Sequence, residues 1–558
     1  MPARRRGAAS PPPSKPSLPP SKAAPPQDED ARLWAPNLHS TFSFLAIVRL
    51  ISALVNIQSD CDEAYNYWEP LHNILYGHGF QTWEYSPVYA LRSYLYLVVH
   101  GVVGKVAGGV LFGSSKLAFF FGLRTALGFA SALCEAAFYR GVVRAYGPRV
   151  GRYTLVFLAC NSGMFQASTA FLPSSFVTYM LMLFSGFWMT TQGASFSAPA
   201  LASGVIAVVC GWPYVGVMCV PFALQSVVAF GVLRPILTGV LVLGLVVGLE
   251  VGTNYYFYHA WLLPAVNIVL YNVVSAGSEL YGVEPWTYYA LNLALNFNVG
   301  LPLAVVSVPI ALASGGLRMV FILPLYLWLG IMFLQPHKEE RFLYPVYPYL
   351  CLAAGWTLTT IFRLARRVAR PIAPVLVTLA VSAYVALSTM RVISITTQYG
   401  APLKVYQFLH DHIEASTNAS TPLRVCVGKE WHRFPSHFFL PNHARMAFLR
   451  SGFRGQLPAH FVSTFQVPDH MNDLNLEEVS RYVDLATCDF VIDRDVPQSM
   501  GHPDEPSLAA NPAWTPVYAE PFLLAEASDR IARAFYVPFW TPTHTVFTNY
   551  TVYAPAST

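Results

Sequence analysis

The amino-acid sequence predicts an α-helical protein that crosses a membrane many times and carries a small α+β domain at its C-terminal end. Three observations predict this fold class. Apolar residues make up 54% of the 558-residue chain and charged residues 12%, whereas a soluble protein has about a quarter charged residues. Many apolar residues lie in runs of about 20, the length that spans a bilayer. Beyond residue 392, short apolar segments alternate with polar loops.

The first 36 residues precede the apolar runs and are rich in Pro, Ser, Ala and charge. This composition predicts a disordered tail, and the segment lacks the apolar core of a signal peptide. We therefore divide the chain into a cytosolic tail (1–36), a transmembrane domain (37–392) and a C-terminal domain (393–558).

Eleven apolar runs are predicted to be membrane spans. They cover residues 40–58, 117–139, 153–169, 172–190, 198–214, 215–232, 235–257, 287–313, 319–335, 342–362 and 372–390. A twelfth run, 91–112, decides the topology, because its crossing would reverse the side of every later loop.

The distribution of arginine predicts that 91–112 does not cross. Arg clusters lie near the N-terminus, at 140–152 and at 363–370, and cytosolic loops are enriched in Lys and Arg. These clusters fall on one side only if 91–112 lies in the membrane interface. The chain then has about 11 spans, a cytosolic N-terminus, and its acidic segment 59–70 on the lumenal side together with everything after 392.

The C-terminal domain has features of an oxidising, lumenal compartment. Asn418 and Asn549 each begin an Asn-X-Ser/Thr sequon. Of the eight cysteines, Cys426 and Cys488 lie in this polar region, where they are a candidate disulfide if the domain is lumenal. No cysteines or histidines have the spacing of a metal site, so we expect no metal.

Two stretches of this domain, "LRVCVGKEW" and "CDFVIDRDV", have the composition of short strands. A third, "NLEEVSRYVDLA" at 475–486, has the apolar spacing of an amphipathic helix. Together they predict the α+β character of the domain.

Three carboxylates, Asp60, Asp62 and Glu63, follow the first predicted span in the stretch "SDCDEAYNYWEP". One interpretation is a solvated loop at the end of a helix. The other is a general base at the membrane surface, because partial desolvation favours a carboxyl group that takes up a proton. These residues alone do not decide between the two.

A second charged segment, "FLQPHKEERFLYPVYP", contains His337, Lys338 and Arg341 on the side where the positive-inside rule disfavours cations. Snorkelling side chains are one explanation. Binding of a phosphate is the other, since Arg binds phosphate bidentately and Lys as a point charge. Arg124, inside a predicted span, also needs a polar partner. A carboxylate cluster and a cation cluster on one face favour transfer from a lipid-linked phosphate donor.

Motifs along nearly the whole chain resemble a known family. The stretches "SDCDEAYNYWEPLHNILYGHGFQTWEYSPVYALRS", "QPHKEERFLYPVYP" and "VCVGKEWHRFPSHFFLP" are similar to those of glycosyltransferase family twenty-two, and among its members to the α-1,2-mannosyltransferases of asparagine-linked glycosylation in the endoplasmic reticulum. "HKEERF" alone marks only the family.

The resemblance implies a C-type glycosyltransferase fold with interfacial helices in the first lumenal loop. It implies dolichyl-phosphate-mannose as donor and a dolichyl-diphosphate-linked oligosaccharide as acceptor, with α-1,2 linkages formed on two branches by one inverting displacement. Neither a further cofactor nor a nucleic-acid partner is expected, and the sequence indicates no oligomeric state.

The resemblance also assigns roles to individual residues. Asp62 is the expected base, with Glu63 binding the acceptor or supporting that base. His337, Lys338, Arg341 and, less directly, Arg124 are expected at the donor phosphate. The residues expected to support the acceptor or the loop are Asp60, Trp68, Glu69, His72 and Glu284.

Two alternatives remain open at this point. One is a related family member that forms an α-1,6 linkage or acts on glycolipid anchors. The other is a polytopic transporter of lipids or solutes, for which the intramembrane acids Glu135 and Glu250 would matter most.

Overall fold

The computed structural model describes residues 33–274, 277–416, 422–497 and 500–556. In it a bundle of helices carries a five-stranded sheet domain on one face. The predicted tail, apart from its last four residues, and the sequon at Asn418 lie outside the described residues.

All eleven predicted spans coincide with one helix or with consecutive helices of the bundle. Among the described residues, seven helices are long and apolar enough to cross a membrane, or eight if the bent pair Trp286–Phe297 and Gly300–Ser314 counts as one span. The helices of the bundle are α1 Leu38–Val55, α2 Cys61–Glu63, α3 Glu69–Tyr76, α4 Tyr94–Leu111, α5 Lys116–Tyr146, α6 Pro148–Cys160, α7 Ser162–Ala167, α8 Pro173–Thr191, α9 Ala198–Ile206, α10 Gly216–Phe230, α11 Leu233–Tyr258, α12 Pro264–Val269, α13 Trp286–Phe297, α14 Gly300–Ser314, α15 Gly316–Leu334, α16 Tyr347–Val368 and α17 Ile372–Gln398.

Two of the predicted spans are broken at asparagines. The span 153–169 is interrupted at Asn161, whose side chain accepts a hydrogen bond from the Met164 NH (2.7 Å). The span 287–313 bends by 109° between α13 and α14, at Asn298. A short amide side chain competes with the backbone for helical hydrogen bonds, so each of these two runs forms two helices.

The run 91–112 forms helix α4, which packs against the ends of other helices. Tyr94, its first residue, stacks on Phe257 near the end of α11, with ring centroids 4.3 Å apart. At its other end, Gly108 approaches Phe119 at the start of α5 so closely that a Cβ at Gly108 would lie 2.9 Å from the Phe119 Cα. Helix α4 therefore joins the end of one span to the beginning of another.

These two helix ends lie on the same face of the bundle, because both contact the C-terminal domain. Lys116, the first residue of α5, donates from Nζ to the Leu440 carbonyl (3.1 Å). The Phe257 carbonyl accepts from the Thr464 hydroxyl (2.9 Å). This arrangement supports the prediction that 91–112 lies along one surface of the membrane, although its length and hydropathy would also suit a span.

The sheet domain begins later than the sequence predicted. Helix α17 continues past the expected boundary at 392/393 to Gln398, whose side chain donates to the Ala532 carbonyl (3.1 Å). In the part of the chain that the structure describes, two further helices, seven strands and a disulfide complete the fold: α18 Ala401–Ser416, α19 Thr541–His544, β1 Phe80–Gln81, β2 Leu423–Val427, β3 Ala444–Phe448, β4 Ala459–His460, β5 Phe490–Arg494, β6 Trp514–Leu523, β7 Phe547–Pro555, and Cys426–Cys488.

The main sheet has the order β3-β2-β5-β7-β6, in which β2 is parallel to β3 and β5, and β7 is antiparallel to β5 and β6. The two strands predicted from sequence are confirmed as β2 and β5. The exposed Asn549 lies in β7. A separate two-stranded sheet, β1 with β4, connects the loop after α3 to the C-terminal domain.

The helix predicted at 475–486 is wrong. The segment has only 3-10 turns, at Val479–Arg481 and Leu485–Thr487. Two of its acidic side chains cap these turns: Glu478 accepts from the Ser480 NH and Asp484 from the Ala486 NH. Such local side-chain bonds offer the backbone an alternative to the helix.

Candidate active site

A cavity of about 680 Å³ lies where the bundle meets the C-terminal domain. Three groups of residues line it. The bundle supplies apolar side chains such as Val209, Ile268 and Met332, and the C-terminal domain supplies aromatic and amide side chains. Two loops supply charges: the first loop, between α1 and α4, and the "HKEERF" loop, between α15 and α16. The charged lining residues are Asp62, Glu84, Arg92, His337, Glu339 and Arg341.

Arg341 connects the two loops by binding three carboxylates. Its Nη2 atom lies 2.5 Å from Asp62 Oδ2, its Nη1 atom lies 3.3 Å from the Asp60 carboxylate, and its Nε atom contacts Glu339. Asp60 caps α2 by accepting from the Asp62 NH (2.9 Å). The planar guanidinium suits this arrangement, since its donors diverge in a fixed fork. The first loop and the "HKEERF" loop thus form one site.

The surroundings of Asp62 keep it ionised at neutral pH. Burial alone would raise the pKa of Asp62, but the positive charges of Arg341 and Arg92 outweigh it and hold the pKa below its usual value. Burial raises the pKa of Asp60 to about 7 against the opposing charge of Arg341. Asp62 is therefore an ionised carboxylate at the cavity, whereas Asp60 is partly protonated near neutral pH.

Glu63 lies outside the set of described residues that line the cavity. Its buried Oε1 atom accepts from the Trp68 indole (3.0 Å) and from the Phe171 NH just before α8 (3.0 Å). Burial raises the pKa of Glu63 despite the nearby positive charge of Arg124. Of the two adjacent acids, the structure places Asp62 at the cavity and uses Glu63 and Trp68 to hold the loop.

The predicted phosphate ligands divide into two sets. His337 and Arg341 line the cavity. Lys338 is buried elsewhere, with Nζ donating to the Glu284 carbonyl (2.8 Å) and to that of Gln335. Its geometry therefore supports a role in holding the loop and not the predicted role at the phosphate.

His337 is held at both ring nitrogens, by the Gly282 carbonyl (2.8 Å) and by Glu339 (2.9 Å). Burial lowers its pKa, but these two partners outweigh burial, so the pKa of His337 is raised. Arg124 donates to the Asn56 carbonyl (2.8 Å) and does not line the cavity. The geometry does not support its predicted contact with a phosphate.

The residues predicted to support the acceptor also lie away from the cavity lining. Glu69 is fully buried and accepts from the Phe80 NH (2.8 Å) and from the NH and Nδ1 of His437 (2.7 and 2.6 Å). His72 bonds to the His78 carbonyl (2.7 Å). The Glu284 side chain is exposed. Glu69 and His72 thus stabilise the loop, and Glu69 also attaches it to the C-terminal domain.

Replacing Glu69 by Ala is expected to destabilise the junction between the bundle and the C-terminal domain. The change leaves two buried NH groups and the His437 imidazole without their acceptor, and each unsatisfied buried group costs about 1–3 kcal/mol. We expect a clearly lower Tm in a thermal-unfolding assay in detergent. Glu284→Ala, which removes an exposed carboxylate, is the control and should keep the wild-type Tm. An unchanged Tm for Glu69→Ala would contradict this assignment.

Sequence analysis missed Arg92, a second cation at the cavity. Glu84 binds Arg92 bidentately (2.8 Å for both bonds), and the Nη1 of Arg92 donates to the Tyr67 hydroxyl (2.7 Å). The signal that identified the cations at 337–341 also applies to Arg92: a charge on the face where the positive-inside rule disfavours it.

Taken together, a multi-span helical bundle with a carboxylate and cations at a partly apolar cavity is typical of a membrane enzyme. The chain belongs to the Alg9-like mannosyltransferase family, whose model matches residues 40–441. It is therefore a mannosyltransferase with the C-type glycosyltransferase fold, as the sequence resemblance implied.

The curated relatives support this assignment along almost the whole chain. The chain is 38% identical to the α-1,2-mannosyltransferase ALG9 of Mus musculus and to that of Homo sapiens, in each case over 94% of this chain and 90% of the relative. It is 38% identical to alg9 of Schizosaccharomyces pombe, over 90% of this chain and 92% of the relative. Mannosyltransferase APTG1 of Arabidopsis thaliana is 24% identical over 56% of this chain and 58% of the relative.

Solved structures show more distant likeness. ArnT from Cupriavidus metallidurans bound to undecaprenyl phosphate has a TM-score of 0.49 and 13% identity, over 73% of this chain and 85% of that chain. The apo form of an Archaeoglobus fulgidus oligosaccharyltransferase has a TM-score of 0.44 and 12% identity, over 73% of this chain and 64% of that chain.

The intramembrane acids that favoured a transporter have local structural partners. Glu135 forms a bidentate ion pair with Arg49, with both bonds 2.8 Å long. Glu250 accepts from the Ser93 hydroxyl (2.6 Å) and from Asn254 (2.9 Å). These contacts account for both acids within a mannosyltransferase.

Proposed function

We propose that this enzyme transfers mannose from dolichyl-phosphate-mannose to a dolichyl-diphosphate-linked oligosaccharide at the lumenal face of the endoplasmic-reticulum membrane. The observation that carries the proposal is the Asp62 carboxylate, fixed at the cavity beside Arg341 and His337. The α-1,2-mannosyltransferase names of relatives that are 32–38% identical to this chain support the linkage. The sequence resemblance supports the donor, the acceptor and the use of two branches.

In the proposed reaction Asp62 accepts the proton of the acceptor hydroxyl. The acceptor oxygen forms a bond to the anomeric carbon of mannose on one face while the bond to the phosphate oxygen breaks on the other. The dolichyl phosphate leaves with the electron pair, and the proton passes from Asp62 to water. A β-linked donor thus gives an α-linked product in a single displacement.

Arg341 has two tasks in this mechanism. Its bond to Asp62 keeps that carboxylate ionised, and it has further N–H donors for the phosphate of the donor. Cations fixed where negative charge develops stabilise the transition state without reorganising. His337, whose pKa is raised, supports Arg341 in this task.

The apolar part of the lining fits the lipid portion of the donor. Val209, Ile268 and Met332 come from helical segments of the bundle and give this part of the cavity an apolar wall. A polyisoprenyl chain can therefore remain in apolar surroundings while its phosphate reaches the charged residues.

The lumenal orientation rests on the positions of the Arg clusters and on the Cys426–Cys488 disulfide, since disulfides persist in oxidising compartments. In sealed microsomes the C-terminal domain is expected to resist added protease, and the exposed Asn549 is expected to accept a glycan at least in part. Cleavage of that domain by protease outside intact vesicles would contradict the orientation.

We also propose that transfer needs no metal ion. Asp60, Cys61 and Asp62 present ligand atoms within 4.8 Å of one another, but Arg341 already binds both carboxylates there. Burial raises the pKa of the Cys61 thiol well above its usual value, and only the thiolate binds metal well. Excess EDTA is therefore expected to leave the transfer rate unchanged. A loss that Mn²⁺ or Mg²⁺ restores would contradict this.

The proposed function is tested with purified protein, dolichyl-phosphate-[³H]mannose and defined acceptors. We expect transfer to the lipid-linked oligosaccharide and release of the label by an α-1,2-specific mannosidase. Transfer only to a glycolipid-anchor acceptor, or a product that only an α-1,6-specific enzyme cleaves, would favour the related family members instead.

A further inference from the structure

The C-terminal domain contributes a part of the cavity that the proposed reaction does not use. Among the described residues, the lining from this domain consists of Trp431, Phe453, Gln456, Leu457, Pro458 and Asn475. None of these side chains is charged. They differ in this respect from the lining supplied by the two loops, which carries the carboxylates and cations.

The topology of the sheet brings these residues to the cavity. Trp431 follows the end of β2 by four residues, and Phe453 follows the end of the parallel neighbour β3 by five. The carboxyl ends of parallel strands are the edge at which open α/β sheets bind ligands. The sheet therefore presents its ligand-binding edge to the site.

Trp431 is anchored close to Asp62. Its carbonyl accepts from the Tyr65 hydroxyl (2.7 Å), and Tyr65 lies three residues after Asp62, which is about one helical turn. The Trp431 ring packs on Phe453, with centroids 4.6 Å apart. The two rings form an apolar aromatic wall whose distance from the base is fixed by the first loop.

Gln456 and Asn475 add amides that neighbouring groups hold in place. The Gln456 side-chain oxygen accepts from the Asn472 NH (3.4 Å). Asn475 has a positive φ of 54°, and its Oδ1 accepts from the Gln456 NH (3.0 Å). A Cβ at Gly455 would lie 2.5 Å from that same Oδ1, so this approach requires glycine. Because the Oδ1 of Asn475 is bound in this way, the Nδ2 group of its side chain is the part left to donate to a ligand.

We propose that Trp431, Gln456 and Asn475 form a subsite for the oligosaccharide part of the acceptor; this rests on the proposed function. Aromatic faces and neutral amides suit a neutral ligand with many hydroxyl groups, which packs its apolar ring faces and exchanges hydrogen bonds. They do not suit the phosphate groups of the lipid carriers, which need cations. The C-terminal domain thus selects the acceptor, and the two loops carry out the chemistry.

The subsite is tested by steady-state kinetics of Trp431→Ala. We expect the KM for the lipid-linked oligosaccharide to rise about tenfold or more, which is about 1.4 kcal/mol, while kcat and the KM for the donor stay within about twofold. Trp540→Ala is the matched control, because Trp540 lies in the same domain, is partly exposed and does not line the cavity. It should keep both KM values.

A second variant and a shortened acceptor separate binding from folding. Asn475→Asp keeps the side-chain oxygen that accepts from the Gln456 NH and removes the Nδ2 donor, in a residue type that also tolerates the left-handed backbone, so it should raise the acceptor KM without lowering the Tm. With an acceptor that lacks the distal sugars, the effects of both variants should disappear. Equal effects on the full and shortened acceptors, or unchanged KM values, would overturn the subsite. No mannosyl transfer by the wild-type enzyme would instead overturn the proposed function.

Discussion

An Asp62→Asn variant is expected to lose about 10²–10⁴-fold in the rate of mannosyl transfer, because a positioned general base contributes that much. The amide has the same shape as the carboxylate and can still accept a hydrogen bond from Arg341, but it cannot take up the acceptor proton. We therefore expect a Tm close to that of the wild type and a KM for the donor that changes little. Single-turnover transfer measurements at saturating substrates show the loss in the chemical step.

Glu63→Gln is the matched control for this experiment, because it makes the same chemical change one residue further along. Glu63 is buried and accepts from Trp68 and Phe171, bonds that a glutamine oxygen can retain. We expect a fall of less than tenfold, accompanied by a lower Tm. The reverse outcome, with transfer abolished by Glu63→Gln and kept by Asp62→Asn in folded protein, would assign the base to Glu63.

The second large effect is expected for Arg341→Lys, which keeps the charge but removes the fork. Lysine cannot bind Asp60, Asp62 and Glu339 at the same time, and it presents a point charge to the phosphate. Loss of one such electrostatic contact typically lowers turnover about 10²–10³-fold. We expect a fall of this size in kcat, measured in the same transfer assay.

The pH dependence of Arg341→Lys gives a sharper test than the rate. Asp62 must be ionised to act as a base, and Arg341 is the main charge that lowers its pKa. Weakening that contact raises the pKa of Asp62, so the acid limb of the kcat/KM profile should move to higher pH. The variant therefore loses more activity than the wild type as the pH falls.

Lys338→Met, in the same "HKEERF" motif, is the comparison for these profiles. Lys338 holds two backbone carbonyls and lies outside the cavity lining, so its loss should lower the Tm and leave the acid limb where it is. If Lys338→Met shifted the limb and Arg341→Lys did not, the roles that we assign to the two cations would be wrong.

Most of the membrane fold follows from the sequence, because its signals are long. A run of about 20 apolar residues has few alternatives to a span, and the Arg clusters predict that 91–112 stays at one surface. The breaks at Asn161 and Asn298 could not be predicted in the same way. They depend on single side chains that bond to the backbone just after them, Asn161 to the Met164 NH and Asn298 to the Val299 NH, and such residues also occur in continuous helices.

The site was predicted as a set of segments but not residue by residue. Asp62 and Glu63 are neighbours with the same chemistry, and only their directions on the short helix α2 separate the carboxylate at the cavity from the buried one. The same holds for Lys338 and Arg341 within one motif. The direction of a side chain depends on packing against distant segments, which a sequence without a fold does not show.

The contribution of the C-terminal domain depends on contacts that are still more distant in sequence. Trp431 reaches the cavity because β2 and β3 are parallel neighbours and because Tyr65 binds its carbonyl. The predicted helix at 475–486 would have placed Asn475 in a different conformation from its observed positive φ. These residues gained a functional interpretation only once the two domains were seen together.

In the proposed mechanism Asp62 removes the proton from the acceptor hydroxyl. The most direct test is an experimental structure with an acceptor oligosaccharide and an unreactive donor analogue bound together. We predict an Asp62 carboxylate oxygen about 2.6–3.2 Å from the reacting hydroxyl, with the donor phosphate on Arg341. A complex in which Glu63 or another group makes that contact, with Asp62 out of hydrogen-bond reach, would contradict the claim.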